Sequence, residues 1–528
     1  MNNDLSYDVV VVGAGPTGLT LANLLGQAGA RVLLIERNES TVSVPRAVSI
    51  DDESLRTMQA IGLIDAVMRD VAADYGSHYF TAGGRCFARV EPTTREYGFP
   101  RRNAFTQPQI ESTLLKGLNR FPNVSAVFRH TVESIEESPF DVTLRTETDD
   151  GNGLCVRGRY VAACDGARSV FRKHIGAKML GQSYPQRWLI VDLAITNERL
   201  RQTRVVCNPR RPLITLPGPH GIRRYEFMLN ASEDDEVATQ PEFVRSLLEN
   251  SGPDADAPVV RRQVYAFHAL IADKWNTDRI FLAGDAAHLS PPFAGQGMNS
   301  GVRDSFNLGW KLAAVVQNRL GPQILKTYFE EREPHASALI RLAVNMGRVM
   351  MPRSPLQALF VQTAFRLARF APGVQSYFAQ MRYKPKPFYS RGCVLSTKEY
   401  EVVGRMLPQP LVELSGGQRC LLDERLGSGF CLLAYGKDAP ARVEEASRCN
   451  FGIADLRTVA ILPSIFNPDR NASPDVEVVR DVNGMLATIL PEGPTVLMLV
   501  RPDRYIMAAT SASPVAMAAR VRNLIESY

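Results

Sequence analysis

Cysteine, histidine, excess charge and long apolar runs are all scarce in this chain of 528 residues. The 8 cysteines are spread thinly and form no C-x-x-C pair. That pattern excludes a disulfide framework and a thiolate zinc site, and it fits reduced thiols in a cytoplasmic protein. No metal site is expected. No apolar stretch approaches the roughly 20 residues needed to span a bilayer. The polar start at 1–7 leads straight into a strand pattern, so neither a signal segment nor a membrane contact is expected. The 61 Lys+Arg against 55 Asp+Glu leave a net charge of only +6. The arginines are scattered, so nucleic acid is not an expected partner. Internal repeats and low-complexity segments are missing as well.

What remains is an ordinary globular composition, 45% apolar and 22% charged, with length for about two to four domains. Its most informative stretch is VVVVGAGPTGLTLANLLGQAGARVLLIER, residues 9–37. Four valines read as a strand buried on both faces of a parallel sheet. Leu21, Leu24, Leu25 and Ala28 recur at helical spacing, and 32–35 reads as a second buried strand. Between them, Gly13 permits a tight turn, Gly15 lets a pyrophosphate approach the backbone, and Gly18 brings helix and strand together. The helix N-terminus offers free N–H groups to phosphate. Glu36 closes the second strand, where an acid accepts hydrogen bonds from a ribose. The full context identifies a dinucleotide site of Rossmann type, shared by FAD and NAD.

A second motif separates the two. Residues 280–283 read as another buried strand, delivering Gly284 and Asp285 to the ligand-binding edge of the sheet. An acid there suits a polyol such as a ribityl chain. The run Pro291 to Asn299 (PPFAGQGMN) then opens a helix marked by Leu308, Leu312, Val315 and Val316. Its glycines and its positive helix end suit a flat ring that gains negative charge on reduction. NAD has no use for this distant second site, whereas FAD spans both, so FAD is expected.

The remaining texture predicts an α/β protein in several parts. Residues 1–185 are expected to form the first part of a Rossmann-like FAD-binding domain, including a hairpin with its turn at 149–153. Residues 186–270 are expected to form an inserted, mostly antiparallel substrate sheet broken by polar loops at 232–236 and 252–258. Residues 271–395 return to the FAD-binding domain and linking helices, and 396–528 form a third α/β domain. The basic, amphipathic stretch 365–387 reads as an inter-domain helix.

The motifs GAGPTGL, CDGARS and LAGDAAHLSPPFAGQGMN resemble those of the class A flavoprotein aromatic hydroxylases. PRRNAF, LPGPHGIRRYEF and the C-terminal extension are more similar to the 3-(3-hydroxyphenyl)propionate hydroxylase branch. The resemblance covers about 5–395 through specific motifs and the tail in outline, where it implies a thioredoxin-like domain. Without a C-x-x-C, that domain reads as structural or dimer-forming and not redox-active. The resemblance implies non-covalent FAD held by Gly13, Ala14, Gly15, Pro16, Thr17 and Gly18, by Glu36 and Arg37 at the adenosine ribose, and by Arg46 and Gln107. It further implies Asp285 on the ribityl chain, with Gly284 beside it, and Pro292, Gly295, Gly297, Met298 and Asn299 around the flavin. Asp165, Gly166 and Arg168 form a second fingerprint linked to FAD and to NADH or NADPH, and the Pro292 backbone lies beside the substrate hydroxyl. The implied reaction is hydroxylation of a small phenolic compound by O2 through a flavin C4a-hydroperoxide, in a cytoplasmic enzyme for which the resemblance leaves a homodimer open. The same motifs also fit a tailoring oxygenase of a larger polycyclic phenol. A catalytically silent scaffold is the third reading, disfavoured by the intact motifs. Flavin halogenases are disfavoured by the missing W-x-W-x-I-P signature.

Substrate residues are expected on the inserted sheet. In IRRYEFML, alternation puts Arg223, Tyr225 and Phe227 on one face and Arg224, Glu226 and Met228 on the other. The first face fits an aromatic pocket, and it equally fits a core face with Arg223 in solvent. His288 reads as a buried histidine holding its loop, His220 as a loop residue, and Arg201, Arg204, Arg210 and Arg211 as a solvated face.

Overall fold

The computed structural model describes residues 5–368, 370–395, 400–466, 476–490 and 493–528. Its first sheet grows from the four valines. Leu5–Val12 lies between Val32–Ile35 and Cys155–Ala163, parallel to both, with Val9 opposite Val32 and Tyr160. Val124–Val127 extends the sheet on one side and Ile280–Leu282 pairs parallel to Cys155–Ala163 on the other. The antiparallel strands Val142–Glu147 and Thr131–Glu137 continue it past the 149–153 turn. Val9, Val10 and Val11 have no solvent exposure, and each such buried side chain contributes about 1.5–3 kcal/mol. Helix Pro16–Gln27 packs along the 20-residue helix Gly297–Val316, so the two glycine-rich motifs, far apart in sequence, meet at their helix N-termini.

The second sheet has eight strands in the order His288–Leu289, Val259–Ala272, Met179–Leu193, Arg223–Met228, Leu213–Pro217, Thr203–Cys207, Ser77–Thr81 and Cys86–Val90. It is mostly antiparallel, but Thr203–Cys207 runs parallel to Ser77–Thr81. Two of its strands therefore come from the chain ahead of the 186–270 stretch. The long strands Met179–Leu193 and Val259–Ala272 carry the chain from the nucleotide sheet into this one, with a register shift between Ser183 and Arg187. The stretch 252–258 is a loop, as expected, while helix Asp235–Ala238 begins inside the stretch 232–236, and helix Pro241–Glu249 lies between the two. Val244 and Leu248 of the second helix are buried against the sheet.

Thr327–Met350 and Pro355–Ala368 follow. Within the 365–387 stretch, Phe365 packs on Phe87 of the edge strand, ring centroids 6.0 Å apart. Leu356, Phe360, Leu367 and Phe370 stay exposed. The last sheet has seven strands, of which Cys431–Tyr435, Arg457–Leu462 and Glu477–Asp481 are parallel, flanked by helices Ala439–Ser447 and Pro514–Glu526.

Buried ion pairs join this last sheet to the rest. Arg56 reaches Asp423 with Nε–Oδ2 and Nη2–Oδ1 distances of 2.8 and 2.6 Å, and Arg504 completes the cluster at 3.1 Å. Arg501 meets both oxygens of Glu331 at 2.8 Å, and Lys311 meets the same carboxylate at 2.8 Å. Burial would raise the Glu331 pKa, but Arg501 and Lys311 hold it down at about 2. Removing one partner of such a cluster strands a buried charge, at a cost of about 3–5 kcal/mol. Among the described residues no helix is long and apolar enough to cross a membrane.

Candidate active site

One cavity of about 430 Å³ runs from the first glycine motif to the second sheet. Its nucleotide end is a backbone surface. Gly13 has φ +109°, and a Cβ there would lie 2.3 Å from the Cys164 carbonyl oxygen. A Cβ on Gly18 would lie 1.9 Å from the Gly13 oxygen, so this glycine serves the contact of helix and strand. Gly15 differs from both. Its backbone is ordinary (φ −79°), and a Cβ would meet no protein atom within 4 Å. It lines the cavity, so the space it leaves is space for a ligand. Gly297 repeats the pattern at the other helix start. Neither helix has a side-chain cap, leaving first-turn N–H groups free for an anion.

Side chains complete this end. Glu36 accepts from the Ala14 and Asn38 amides at 2.7 and 2.9 Å, which fixes its carboxylate at the cavity wall. Gln107 Oε1 accepts from the amides of Arg46 and Ala47 at 3.0 and 2.8 Å, and its Nε2 donates to Glu111 at 2.7 Å. Gln107 thus braces the loop that brings Arg46 to the cavity. Asp165 accepts from the Val170 amide at 2.8 Å and keeps its other oxygen, Oδ1, buried without a partner. Burial raises its pKa. Asp285 opens onto the cavity but is enclosed by protein beyond it, and this enclosure raises its pKa too. No protein donor reaches its carboxylate among the described residues, so a polyol hydroxyl fits there. Arg37, Gly166, Arg168, Pro16, Thr17, Pro292, Gly295 and Met298 also line the cavity.

Four expected residues stand behind the wall. Ala14 contributes its amide to Glu36, and Gly18 is used in packing. Gly284 (φ +60°) approaches Thr17, where a Cβ would lie 2.6 Å from the hydroxyl, and its N–H donates to Asp304. The Asn299 side chain spends its hydrogen bonds on the 49–54 segment and on Gly295: Oδ1 accepts from the Asp51 amide and the Ser54 hydroxyl, and Nδ2 donates to the Ser49 and Gly295 carbonyls. It shapes the loop and does not face the ring site. His288 Nε2 lies 2.7 Å from Asp304, fully buried, and holds the loop. Burial would raise the Asp304 pKa, but His288 and Arg332 draw it down to about 2.

The other end of the cavity is the second sheet, and of the two readings of the Arg223, Tyr225 and Phe227 face the core reading fits, with Arg223 buried and not in solvent. Tyr225 and Phe227 stack on each other at 5.9 Å, beneath Val244 and Leu248 of the Pro241–Glu249 helix. The Tyr225 hydroxyl donates to Asp254 at 2.8 Å. Arg223 is buried on the same side, on Thr215 and the Leu200 carbonyl at 2.6 and 3.0 Å. The cavity is lined instead by Arg224 and Glu226, with Thr203, Val205, Ile214 and Leu216 from neighbouring strands. These follow from register: Val205 is opposite Tyr79 and Ile214, and Ile214 is opposite Glu226. Phe293 and Met350 close the apolar end. Arg224 is clamped by Asp192 at 2.6 and 3.0 Å. Glu226 has only the Arg224 guanidinium, 4.0 Å away, and burial outweighs it, pushing Glu226 up to about 7.

A buried charge cluster beside this site carries no signal in the sequence beyond an acidic helix start. Asp51, Asp52 and Glu53 converge, and Lys384 neutralises them from 2.7 Å (Glu53) and 3.0 Å (Asp51). Arg303 meets Glu53 at 2.6 Å and also pairs with Asp51. Asp51 and Glu53 are thus paired with cations, whereas Asp52 has Arg101 and Lys384 only at 3.7 and 3.8 Å among the described residues, and burial pushes its pKa up to about 7. Of the scattered arginines, Arg211 pairs with Glu233 and Arg204 lies over Phe80, while Arg201 and Arg210 are exposed. His220 sits in its turn, 3.1 Å from Asp70.

Comparison with known proteins agrees with this geometry. The FAD binding domain family profile matches residues 6–343, and the HcaD C-terminal domain profile matches 404–524. The 3-(3-hydroxy-phenyl)propionate/3-hydroxycinnamic acid hydroxylase of Klebsiella pneumoniae (strain 342) is 37% identical over 522 residues, 98% of this chain and 94% of its own. The Escherichia coli (strain K12) protein of the same name is 36% identical over 507 residues, 95% and 92% of the two chains. In fold, the chain is similar to the flavin-dependent monooxygenase PieE, solved with FAD and substrate, with a TM-score of 0.82 at 20% identity and 99% and 100% coverage. The p-nitrophenol 4-monooxygenase PnpA of Pseudomonas putida DLL-E4 is 26% identical, with a TM-score of 0.67, covering 72% of this chain and 98% of its own. The match of the FAD binding domain profile and the near-full-length relation to these hydroxylases, on a chain in which one cavity joins a backbone cradle to an apolar recess, show that the chain belongs to the class A flavoprotein aromatic hydroxylases and is an FAD-dependent enzyme of that family.

Proposed function

We propose that the enzyme hydroxylates the ring of a small phenolic carboxylic acid, with O2 as oxidant and NADH or NADPH as electron source. The observation that carries this reading is the continuity of the cavity: the glycine cradle and the apolar face of the second sheet are two walls of one space. The near-full-length relatives named for hydroxyphenylpropionate support the substrate class.

FAD, once reduced, supplies the activation of O2 and the transfer of one oxygen atom. The chain's own residues bind, orient and exclude water. The amides around Gly15 and Thr17 would hold the pyrophosphate, Glu36 the adenosine ribose and Asp285 the ribityl hydroxyls. Arg46 would add charge at the phosphates, and Asp165, Gly166 and Arg168 would serve both FAD and the nicotinamide donor. The N-terminus of Gly297–Val316 would supply partial positive charge to the reduced ring. The Pro292 backbone and the 203–216 strands position the phenol, and the apolar closure by Phe293 and Met350 keeps water out.

The C-terminal unit is read as thioredoxin-like in outline and structural in role. Burial pushes the Cys431 thiol up to about 12, so it carries no thiolate at neutral pH.

The test is aerobic turnover with a panel of phenolic acids and neutral phenols, following NADH and NADPH consumption, peroxide release and product mass. Phenolic acids should accelerate nucleotide oxidation and gain one oxygen atom. A panel in which no phenol does so overturns the reading.

A further inference from the structure

The cavity is lined by five arginines, Arg37, Arg46, Arg102, Arg168 and Arg224. Three of them, Arg37, Arg46 and Arg168, stand at the nucleotide end. Arg224 stands at the apolar end and is largely committed: besides Asp192, its Nη1 and Nη2 donate to the carbonyls of Arg46 and Pro45 at 2.8 and 2.6 Å. Four of its five N–H groups are spent within the protein, its charge is paired with Asp192, and Glu226 lies 4.0 Å from Nη1.

Arg102 is different. It lines the main cavity and a small adjoining one of about 30 Å³. Its guanidinium donates to the Ser77 hydroxyl and lies 4.8 Å from the Tyr75 ring centroid. Its other neighbours, Tyr79 and Tyr383, are phenols. Among the described residues no carboxylate pairs with it, whereas adjacent Arg101 has Glu96 at 3.1 Å and Asp52 at 3.7 Å. A hydroxyl and aromatic faces do not neutralise a guanidinium, and an enclosed cation without a counter-charge is costly. A ligand that brings an anion completes the site.

Register places that anion. Ser77 pairs with Thr203, and Leu216 pairs with Arg224. Ser77 and Arg224 are thus three strands apart, roughly 14 Å at ordinary strand spacing. Thr203 and Leu216 form the floor between them and line the cavity. A phenolic acid lying on this floor meets Arg224, already paired with Asp192, and the carboxyl of Glu226 at one side. At the other side it meets one open guanidinium, whose planar fork matches a carboxylate.

We infer that Arg102 receives the substrate carboxylate and sets the preference for acidic phenols. This rests on the phenolic-acid reading above. The test compares 3-(3-hydroxyphenyl)propanoate with its primary amide in wild type, Arg102→Gln and Arg102→Lys, reading kcat and KM, FAD content and the KM of the nicotinamide donor. Wild type should favour the carboxylate by about 30- to 100-fold in kcat/KM, mostly through KM, as for a charge-assisted pair. Arg102→Gln should shrink that preference to roughly threefold or less, with FAD content and donor KM unchanged, and Arg102→Lys should restore part of it. A Gln variant that keeps the wild-type preference, or loses both substrates equally, overturns the Arg102 assignment alone. A loss confined to the donor KM also overturns it, placing the anion on the donor. A wild-type enzyme that hydroxylates neutral phenols and neither phenolic acid nor amide overturns the phenolic-acid reading and this inference together.

Discussion

The two ends of the cavity are built by opposite means. At the nucleotide end the ligand surface is backbone, set by glycines and two helix starts, and the residues lie in short runs at 13–18 and 284–299. At the substrate end the surface is side chains, one or two from each of several strands, brought together only by sheet register. A backbone surface binds what every dinucleotide shares. A side-chain surface changes with each substitution, so chemistry is shared through one end and selectivity is set at the other.

The sharpest break in this comparison uses two neighbouring glycines. A Gly18→Ala Cβ would lie 1.9 Å from the Gly13 oxygen, in backbone with no room to yield. It should cost more than about 4 kcal/mol and give little soluble protein. The Cβ of Gly15→Val would meet no protein atom within 4 Å. This variant should fold, with a near-wild-type melt by circular dichroism, yet lose FAD affinity by about 100-fold or more, since the side chain fills ligand space. Gly15→Val protein that emerges from gel filtration with full flavin would refute the backbone-cradle account.

Asp285 tests the side-chain contribution at the same end. If Asp285 holds the ribityl chain as proposed, Asp285→Ala should cost about 1.5–3 kcal/mol in FAD binding, as for a charge-assisted contact. Fluorescence titration of the apoprotein measures it. An unchanged dissociation constant would show that Asp285 faces no ligand group.

This contrast also explains what was legible in the sequence. The first βαβ unit, the hairpin around 149–153 and the strand before Gly284 were readable because each is local: a run of valines, a turn, a glycine at fixed spacing. The substrate face was not. Alternation along 223–228 divides six side chains into two faces, but which face is covered depends on Pro241–Glu249, a helix between the two polar loops. Its Phe243, Val244, Leu247 and Leu248 all pack in that cluster, an amphipathic pattern that points Tyr225 and Phe227 inward. The side-chain partners of Asn299 are hidden for a related reason. Its partners at 49–54 lie some 250 residues away, and no local pattern announces them. The open state of Arg102 likewise becomes visible only once the other arginines are seen to be paired or placed at the nucleotide end.

The cavity-facing side of the strand is sharpened by pH. Glu226 keeps its proton in the folded chain up to about 7, against 4.5 for an unperturbed side chain. Between those values the unfolded chain has released the proton and the folded chain has not, so stability falls as pH rises, then levels off above 7. Glu226→Gln removes this penalty. The thermal midpoint of the variant should exceed wild type by a wider margin at pH 8 than at pH 4.5, corresponding to on the order of 1–3 kcal/mol. A margin independent of pH would show that Glu226 ionises normally and that the recess is wetter than its lining suggests.

The smallest effect belongs to the opposite side of the same strand. Tyr225→Phe keeps the ring, its stacking on Phe227 and its place under the helix. It removes one hydrogen bond, the 2.8 Å donation to Asp254. Asp254 still accepts from the Thr196 hydroxyl and the Asn197 amide, each at 2.6 Å, so its buried charge is not stranded. The cost should therefore stay at the low end of the range of about 1.5–3 kcal/mol for a bond to a charged acceptor. Because the hydroxyl points away from the cavity, substrate affinity, FAD affinity and peroxide released per nicotinamide consumed should all match wild type. Urea unfolding of the holoenzyme and a peroxide assay under turnover together separate the two faces. Lost stability with intact coupling places Tyr225 in the core. Intact stability with increased peroxide escape would return Tyr225 to the pocket and reverse the assignment of both faces.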